Sequence, residues 1–531
     1  MIGRVGFSSK CWRVLRWAGL AAAAPALWAC TSRTLETPTI APTANLTTTF
    51  TQKINNEIDI LFMIDNSSSM TEMQQKLSDQ LPQFMDVLEG LATKPSLHVA
   101  VVSSDMGAPG DSTSSIMCTP RGDQGQFQSM ARSPCNGTTL TAGATYISDA
   151  DNMPNFTDPI ANVFQCIALL GDKGCGFENQ LASIDRALGG DGQQPSTNSG
   201  FLRPEAYLGI VILTNEDDCS APAGTPLYSL NGGQQNVANP LGPIANYRCN
   251  QFGHICTDPG SGATGEPPLQ PPGDAMKTGS TPTLDLKNCM SDDSGGQDNL
   301  IPVKNFISDI KALKQDPDNQ ILVAAIAGPP TPYTVAWLPA SGGQNTQPGE
   351  VWPVIEHSCG AAGGDDVNPE ATMNPTDMSF GDPGVRIAQF VNSFHNSLLA
   401  SICDLTYRTS ITNIATLLGQ LITPPCITGT IQQDAGGLPM CAIVEHLTDS
   451  SGVKKDISLP NCATSGANPA QCWTTKTKQM GCTNGSQLTV TDTVNANPQS
   501  ENSSVDCSIC LPGAAVTGCP CIAGNMVAGC I

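Results

Sequence analysis

The sequence predicts an α/β protein, with a doubly wound, mostly parallel sheet over residues 53–423 and a smaller Cys-rich, disulfide-stapled module over residues 424–531. Two observations predict the first part. Short, wholly apolar runs suit strands that are buried on both faces, and they alternate with segments in which apolar residues recur every three or four positions, as in helices. A third observation predicts the second part, which holds ten cysteines but few apolar runs.

The strands and helices of the larger domain follow one another along the chain. The predicted strands are the apolar runs 58–64, 97–102, 208–213 and 321–326. The predicted helices cover Met70 to Leu91, where Pro82 is expected to kink or split the helix, then 181–188, and lastly Ile387 to Ile402. Insertions rich in Gly, Pro and Asn near 106–160, 219–299 and 328–383 enlarge the domain.

The N-terminal residues 1–29 are predicted to be a signal peptide. A basic start precedes a short apolar run, and Leu27-Trp28-Ala29 stands directly before Cys30. This arrangement resembles a bacterial lipoprotein signal, which implies that Cys30 receives the lipid. A plain secretory peptide with an incidental cysteine is the alternative. Residues 30–52, rich in Thr and Pro, are predicted to be a tether.

Charge and hydropathy restrict where the protein acts. Acidic residues outnumber basic ones by 47 to 25, and the formal net charge is −22. Residues 1–29 hold four basic and no acidic side chains, so their removal changes the net charge to −26. Binding to a phosphate backbone needs a basic surface, which excludes nucleic acid as a partner. We expect a lipid-anchored protein of the cell envelope, at the outer membrane or cell surface, whose only membrane contact is its N-terminal lipid.

The cysteines indicate an oxidising compartment. With Cys11 and Cys30 set aside, ten lie between residues 118 and 403 and ten between 426 and 530, which favours pairing within each part. Zinc binding by the closely spaced C-terminal cysteines is the alternative. Short separations within loops predict two local disulfides, Cys118 with Cys135 and Cys166 with Cys175.

The candidate site follows the first predicted strand. Asp65-Asn66-Ser67-Ser68-Ser69 has the form D-x-S-x-S, at the carboxyl end of a strand and before a helix. That edge is where open α/β sheets bind ligands. One carboxylate and two hydroxyls on one loop suit Mg²⁺, so Asp65, Ser67 and Ser69 are candidate ligands. Alternatively, Ser69 is a helix N-cap and the loop holds no metal.

These residues resemble the metal-ion-dependent adhesion site (MIDAS) of von Willebrand factor type A (vWA) domains. The resemblance implies a Rossmann-like vWA fold over residues 53–423 and a bound Mg²⁺, or Mn²⁺ or Ca²⁺. In that family a Thr from a second loop and an Asp from a third loop also approach the metal. Here Glu178 stands at the Thr position, and Asn215 followed by Glu216-Asp217-Asp218 replaces the usual Asp-Gly. Glu178 and Asp217 are therefore weaker metal candidates.

The resulting expectation is a lipid-anchored binding or adhesion protein. A carboxylate of a protein partner would complete the coordination of the metal. The alternative is a structural envelope protein, in which metal and disulfides only stabilise the fold. We expect no enzyme, because the chain contains no H-E-x-x-H, G-x-S-x-G or phosphate-loop motif.

Overall fold

A computed structural model describes most of the chain outside the N-terminal region, several insertions and the C-terminal end. The described residues are 43–50, 56–91, 94–108, 118–132, 140–150, 153–229, 241, 246–271, 282–296, 299–339, 351–360, 379–422, 426–448, 453–479, 482–492, 500–510 and 517–519. The predicted signal peptide and Cys30 lie outside them.

Strands and helices alternate through the first two thirds of the chain, and strands dominate the remainder. The described helices are α1 (Thr71–Ser78), α2 (Leu81–Glu89), α3 (Ile160–Ala168), α4 (Gln180–Leu188), α5 (Asn246–Gly253), α6 (Val303–Ala312), α7 (Pro317–Gln320), α8 (Val385–Asn392) and α9 (Arg408–Ile422). The described strands are β1 (Thr43–Phe50), β2 (Glu57–Ile64), β3 (Ser96–Ser103), β4 (Ile147–Ser148), β5 (Tyr207–Leu213), β6 (His254–Thr257), β7 (Thr264–Gly265), β8 (Thr283–Ser291), β9 (Ile321–Ala327), β10 (Tyr333–Pro339), β11 (Val351–Ile355), β12 (Cys359–Gly360), β13 (Phe380–Gly381), β14 (Asn396–Ser401), β15 (Cys426–Thr428), β16 (Thr430–Ile431), β17 (Cys441–Thr448), β18 (Lys454–Leu459), β19 (Gln471–Gln479), β20 (Cys482–Asp492) and β21 (Ser500–Cys510).

A six-stranded sheet in the order β4-β3-β2-β5-β9-β14 forms the centre of the larger domain. Five of its strands are parallel, and the short β4 runs antiparallel to β3 at one edge. Numbered along the chain, the six strands have the spatial order 3-2-1-4-5-6 of a doubly wound sheet. The predicted fold class is confirmed, and the four predicted strands correspond to β2, β3, β5 and β9.

Side chains alternate between two hydrophobic cores, one on each face of this sheet. On β2, Ile60 and Phe62 belong to the core covered by α1, α2, α3 and α9, whereas Leu61 and Met63 belong to the core covered by α4, α6 and α8. All four are fully buried. Burial on both faces explains why this strand is apolar at nearly every position.

The helix predicted from Met70 to Leu91 is split, as expected from Pro82. Helix α1 ends at Ser78, and α2 begins at Leu81 with Pro82 in its first turn. Proline is tolerated there because the first turn of a helix has no internal partner for its N–H groups.

The helix predicted from Ile387 to Ile402 is wrong beyond Asn392. Helix α8 ends at that residue, and Asn396–Ser401 form β14, which pairs in parallel with β9. Leu398 packs against one core and Leu399 against the other, so the segment alternates as a strand does. Its larger apolar side chains are four residues apart, which is also the spacing of residues on one face of a helix.

Both predicted local disulfides are contradicted. Cys118 is bonded to Cys175, 57 residues away, with 4.1 Å between their Cα atoms. Cys166 is disulfide-bonded as well, and Cys135 lies outside the described residues. Separation along the sequence was a poor guide, because the chain after β3 folds onto the loop after α3 and brings Cys118 and Cys175 into one buried cluster.

Insertions of the larger domain build a second, antiparallel sheet in the order β11-β10-β8-β6-β7. Tyr247, Tyr333 and Trp337 are buried in its core. Two further disulfides, Cys219–Cys249 and Cys256–Cys289, join residues within these insertions.

The chain divides into two compact units. One comprises Thr48–Gly429 and Ala442–Val505, and the other combines Thr430–Cys441 with the described parts of Met1–Thr47 and Asp506–Ile531. In the second unit, β16 pairs with β21, and disulfides join Cys441 to Cys507 and Cys510 to Cys519. The domain boundary predicted near residue 423 stays a prediction. Part of the predicted tether, Thr43–Phe50, is strand β1. Within the described residues, no helix is long and apolar enough to span a bilayer.

Candidate functional site

The D-x-S-x-S loop lies in a crevice between the carboxyl ends of β2 and β5. These are the first and fourth strands of the sheet in chain order, and they are neighbours in space. The backbone N–H of Asp65 donates to the carbonyl of Leu213 (2.9 Å), so the loop after β2 begins beside the end of β5. The strand order of a doubly wound sheet reverses at this position, which is where such sheets bind ligands.

Asp65 is the most tightly held side chain of the crevice. It is fully buried, and its Oδ1 accepts hydrogen bonds from the Ser67 N–H (2.9 Å) and the Ser104 hydroxyl (3.0 Å). Its Oδ2 lies 2.7 Å from the Thr214 hydroxyl. Burial raises the pKa of Asp65, although these donors oppose the rise. The loops after β2, β3 and β5 therefore converge on one carboxylate.

The two serines of the motif behave differently. Ser67 is 3% exposed, and its Oγ approaches Asp65 but makes no hydrogen bond of normal geometry. The Ser69 Oγ lies 3.1 Å from Nδ2 and 3.3 Å from Oδ1 of Asn215. The alternative role of Ser69 as a helix cap is not seen, because Met70 precedes α1 and no side chain caps that helix end.

A second loop, which follows α3, is clamped to the first. The Gln74 amide donates to the carbonyls of Asp65 and Gly171 (both 2.8 Å) and accepts from the Gly171 N–H (2.9 Å). Gly174 donates to the Asn66 carbonyl (2.8 Å). A Cβ at Gly174 would lie 2.1 Å from Asn66 Oδ1, so the approach of the two loops requires glycine there.

Glu178, at the end of the second loop, is buried between the loops after β3 and β5. Its carbonyl accepts from the Cys219 N–H (2.8 Å), and the N–H of the next residue, Asn179, donates to the Ser104 carbonyl (2.9 Å). The disulfide Cys118–Cys175 fixes the same loop three residues earlier. The sequence-predicted candidate Glu178 is thus brought close to the group that holds Asp65.

Four carboxyl groups share this crevice. Burial raises the pKa of Glu178, and repulsion from Asp65 and Asp382 adds to the rise, whereas the hydrogen bond with Glu216 opposes it. Burial also raises the pKa of Glu216, and repulsion from Glu178, Asp382 and Asp65 adds to that rise. The side chains of Glu178 and Glu216 are hydrogen-bonded to each other. Asp382 is also buried, and His357 Nδ1 lies 2.7 Å from its Oδ1.

Asp217, the other weak candidate, has different contacts. Its Oδ2 accepts from the Arg386 N–H (2.8 Å) and lies 2.7 Å from His254 Nε2, and its Oδ1 accepts from the Ile387 N–H (3.1 Å). Asp217 therefore caps the start of α8, and these contacts lower its pKa despite burial, with His254 contributing most. The next residue, Asp218, forms a fully buried ion pair with Arg386 (2.9 Å).

Other residues of the crevice were not selected from the sequence. Asn215 stands where the sequence resemblance to vWA domains implies an Asp, and that resemblance was the available signal for it. Ser104 and Thr214 each follow a strand directly, and this position at the carboxyl edge of the sheet could have identified them as candidate site residues. Nothing in the sequence indicates Asp382, which an insertion brings to the crevice through a hydrogen bond from its N–H to the Asn215 carbonyl (2.7 Å).

The donor set fits a hard divalent cation of the Mg²⁺ type. Within the described residues, no three His, Cys, Asp or Glu side chains are arranged as a metal site made of those groups alone. The crevice instead combines the Asp65 carboxylate with the hydroxyl oxygens of Ser67 and Ser69 and the amide oxygen of Asn215. Oxygen ligands of this kind suit Mg²⁺ and Ca²⁺. The buried Ser67 Oγ lacks the partner that such an oxygen normally has.

Comparison with known proteins gives distant structural matches only. No family model matches the chain, and no curated relative was found. A von Willebrand factor type A protein from Catenulispora acidiphila matches at 10% identity and a TM-score of 0.25, over 89% of this chain and 62% of that one. The pilus adhesin SpaC from Lactobacillus rhamnosus GG matches at 9% identity and a TM-score of 0.27, over 90% of this chain and 42% of that one. The pilus adhesin RrgA from Streptococcus pneumoniae matches at 10% identity and a TM-score of 0.22, over 88% of this chain and 58% of that one. The chain thus spans less than two thirds of each of these proteins, and the fold assignment rests on its own strand order.

Proposed function

We propose that the protein is an extracytoplasmic, lipid-anchored binding protein whose vWA-type domain holds a divalent cation and presents it to a partner. The observation that carries the proposal is the buried Ser67 Oγ, which has no normal hydrogen bond although it lies beside Asp65 at the switch point of the sheet. A buried polar atom without a partner costs free energy, and a cation supplies one.

Asp65, Ser67, Ser69 and Asn215 are the proposed ligands. Three hydrogen bonds fix the Asp65 carboxylate, so its orientation is set before any ion arrives. Asn215 and Ser69 hold each other across the crevice. A bound cation would supply Lewis acidity toward an oxygen of the partner. The proposal involves binding without a catalytic step.

A partner can reach the crevice from its outer rim. Ser68 is exposed, and Ser69 and Glu216 are partly exposed, whereas Asp65 and Ser67 lie beneath them. This arrangement supports a cation held by buried groups and approached from the side of Ser69.

The structural alternative is supported by a separate observation, the near-complete burial of Asp65, Ser67 and Glu178. A cation enclosed by these groups would stabilise the fold without meeting a partner. The two functions differ in one experiment. Both predict that Mg²⁺ or Mn²⁺ raises the melting temperature of wild type but not of the Asp65→Asn variant. Only the binding function predicts a partner that envelope extracts supply and that EDTA releases. Thermal stabilisation without such a partner would favour the scaffold.

The lipid anchor is proposed on the sequence, and the location outside the cytoplasm also on the disulfides found in both units. Cys30→Ser should move the protein from the membrane to the soluble extracytoplasmic fraction. Unchanged membrane retention of this variant would contradict lipidation at Cys30.

A further inference from the structure

We infer that Ser504, His446 and Asp456 form a nucleophilic triad that accepts acyl groups from small esters. The three side chains lie on neighbouring strands of the β1-β21-β17-β18 sheet, and all three belong to the larger compact unit. Triads of this kind are recognised by geometry and not by a contiguous motif, so the absence of enzyme motifs in the sequence does not bear on it. The inference goes beyond the proposed binding function and does not depend on the cation site.

The hydrogen bonds of His446 define the arrangement. Its Nδ1 lies 2.8 Å from Asp456 Oδ1, and its Nε2 lies 3.0 Å from the Ser504 hydroxyl oxygen. A carboxylate oxygen only accepts, so in the neutral imidazole the Nδ1–H donates to Asp456 and the Nε2 lone pair is left to accept from the Ser504 O–H. This is the tautomer that lets a histidine act as general base toward a serine hydroxyl.

The sheet holds the three side chains together. His446 on β17 is directly opposite Asp456 on the antiparallel strand β18. Strand β21, which carries Ser504, pairs with β17 on its other side. Cβ atoms of directly opposite residues on neighbouring strands lie about 4.5–5.5 Å apart, a distance that an imidazole hydrogen-bonded to a short side chain can span. The register of the strands therefore sets the triad.

The triad can be reached from solvent. Side chains alternate between the two faces of a strand, and the neighbours of His446 on β17, Glu445 and Leu447, are buried on the other face. The side chain of His446 is 36% exposed, that of Asp456 is 69% exposed, and Ser504 is half-buried. A small ester can therefore approach the Ser504 hydroxyl.

Hydrolysis of an ester at this site takes two steps. In the first, Ser504 Oγ bonds to the carbonyl carbon and its proton passes to His446 Nε2. The bond from that carbon to the alcohol oxygen then breaks, and the alcohol leaves with the proton. In the second step, water attacks the acyl-serine, its proton returns to Ser504 through the same nitrogen, and the carboxylic acid is released. Asp456 acts through His446, whose ring it orients, and is a positioning residue.

The exposure of the triad restricts the substrates to esters with good leaving groups. A positioned general base contributes about 10²–10⁴-fold to a rate. Solvent weakens the hold of an exposed carboxylate on its partner, so the lower end of that range applies to His446 and Asp456. Esters of acidic phenols, such as 4-nitrophenyl acetate, need no larger acceleration to react at a measurable rate.

The test uses full-length protein in EDTA, so that a cation in the crevice cannot contribute. Diisopropyl fluorophosphate is the first probe. Ser504 Oγ bonds to its phosphorus, the bond from phosphorus to fluorine breaks, and fluoride leaves while the proton passes to His446. The product is stable, and mass spectrometry of wild type should find it on Ser504. His446→Gln should slow this labelling at least about tenfold.

Turnover of 4-nitrophenyl acetate is the second readout. Ser504→Ala should lower the steady-state release of 4-nitrophenolate at least about tenfold. Ser458→Ala is the matched control, because Ser458 is an exposed serine on the same face of β18 as Asp456, and it should leave the rate within about twofold. Asp456→Asn should slow labelling of Ser504 at least about fivefold, and Asp456→Glu should restore part of the rate, because a glutamate can still accept from Nδ1–H.

These outcomes separate a reactive serine from a set of cross-strand contacts. Wild type that carries no label on Ser504, or Ser504→Ala that turns over the ester at the wild-type rate, would overturn the inference. Equal labelling rates in wild type, His446→Gln and Asp456→Asn would also overturn it, since a merely structural triplet predicts that result. Should Ser504→Ala not fold, the labelled position in wild type decides alone, with Ser504 supporting the inference and any other residue contradicting it.

Discussion

Two substitutions of Asp65 in the cation-free protein distinguish what its hydrogen bonds and its charge contribute to the free energy of unfolding. Asp65→Asn keeps Oδ1 as acceptor for Ser67 and Ser104, and its new NH₂ group can donate to the Thr214 hydroxyl, which then donates to the Glu216 carbonyl at 3.1 Å. Asp65→Ala removes the acceptor. Both hydroxyls have a second acceptor nearby. Among the described residues, Asp65 Oδ1 is the acceptor shown for the buried Ser67 N–H, and an unsatisfied buried donor costs about 1–3 kcal/mol.

We therefore expect Asp65→Ala to be less stable than Asp65→Asn by about 2–4 kcal/mol, counting the N–H and the weakened hydroxyl bonds. Because burial raises the pKa of Asp65, its charged form is disfavoured, and Asp65→Asn should be at least as stable as wild type in EDTA. Urea unfolding at pH 7.5 in EDTA measures both differences. Equal stability of the Ala and Asn variants, or an Asn variant clearly less stable than wild type, would refute this reasoning.

Three further predictions concern the surrounding fold. Burial, then repulsion from neighbouring aspartates, raises the pKa of Asp185 to about 7 from 3.8, so the folded state holds this proton more tightly than the unfolded state. Its stabilising contribution is complete below about pH 4 and is lost as the pH rises through 7. Asp185→Asn should remove that pH dependence, a gain on the order of 4 kcal/mol at pH 8 in urea unfolding, and no gain would contradict the assignment. Arg386→Met should lower the free energy of unfolding by about 3–5 kcal/mol, because it leaves the buried Asp218 carboxylate unpaired, and a loss below 1 kcal/mol would argue against that ion pair. Non-reducing peptide mapping should recover a peptide linking Cys118 to Cys175, and closing this loop should contribute about 4 kcal/mol, whereas free thiols at both positions would overturn the pairing.

Much of the fold was predictable because each central strand is buried on both faces. The runs at 58–64, 97–102, 208–213 and 321–326 are apolar throughout, and no other element of a soluble domain needs that pattern over so few residues. The strand Asn396–Ser401 was missed, because at the edge of the sheet it is only partly buried and carries polar residues. Its apolar spacing then matched a helix.

The site was predictable in its local part only. Asp65, Ser67 and Ser69 lie on one loop, so their spacing in the sequence fixes their neighbourhood in space. Glu178 was found by its place relative to α4. Asp217 was chosen as the candidate from its loop, but in the structure it contacts the start of α8, whereas Asn215 faces Ser69 and Glu216 faces Glu178. The sequence alone does not show which residues of a polar loop point into the crevice and which point toward a neighbouring helix.

The disulfides show the same limit. Cys118 and Cys175 are separated by an insertion, and only the packing of that insertion brings them together. Closing a short loop costs the least entropy, which favours disulfides between cysteines that are close in sequence. Here the folded chain buries Cys118 and Cys175 in one cluster, so these more distant cysteines pair instead.

An anomalous-difference map of crystals soaked in Mn²⁺ tests the central proposal most directly. We predict a peak in the crevice between β2 and β5, within about 2.6 Å of the Ser67 and Ser69 hydroxyl oxygens and close to Asp65, and no such peak in the Asp65→Asn variant. A wild-type crystal with no peak in this crevice, or with an ordered water or protein group filling the position beside Ser67, would contradict it.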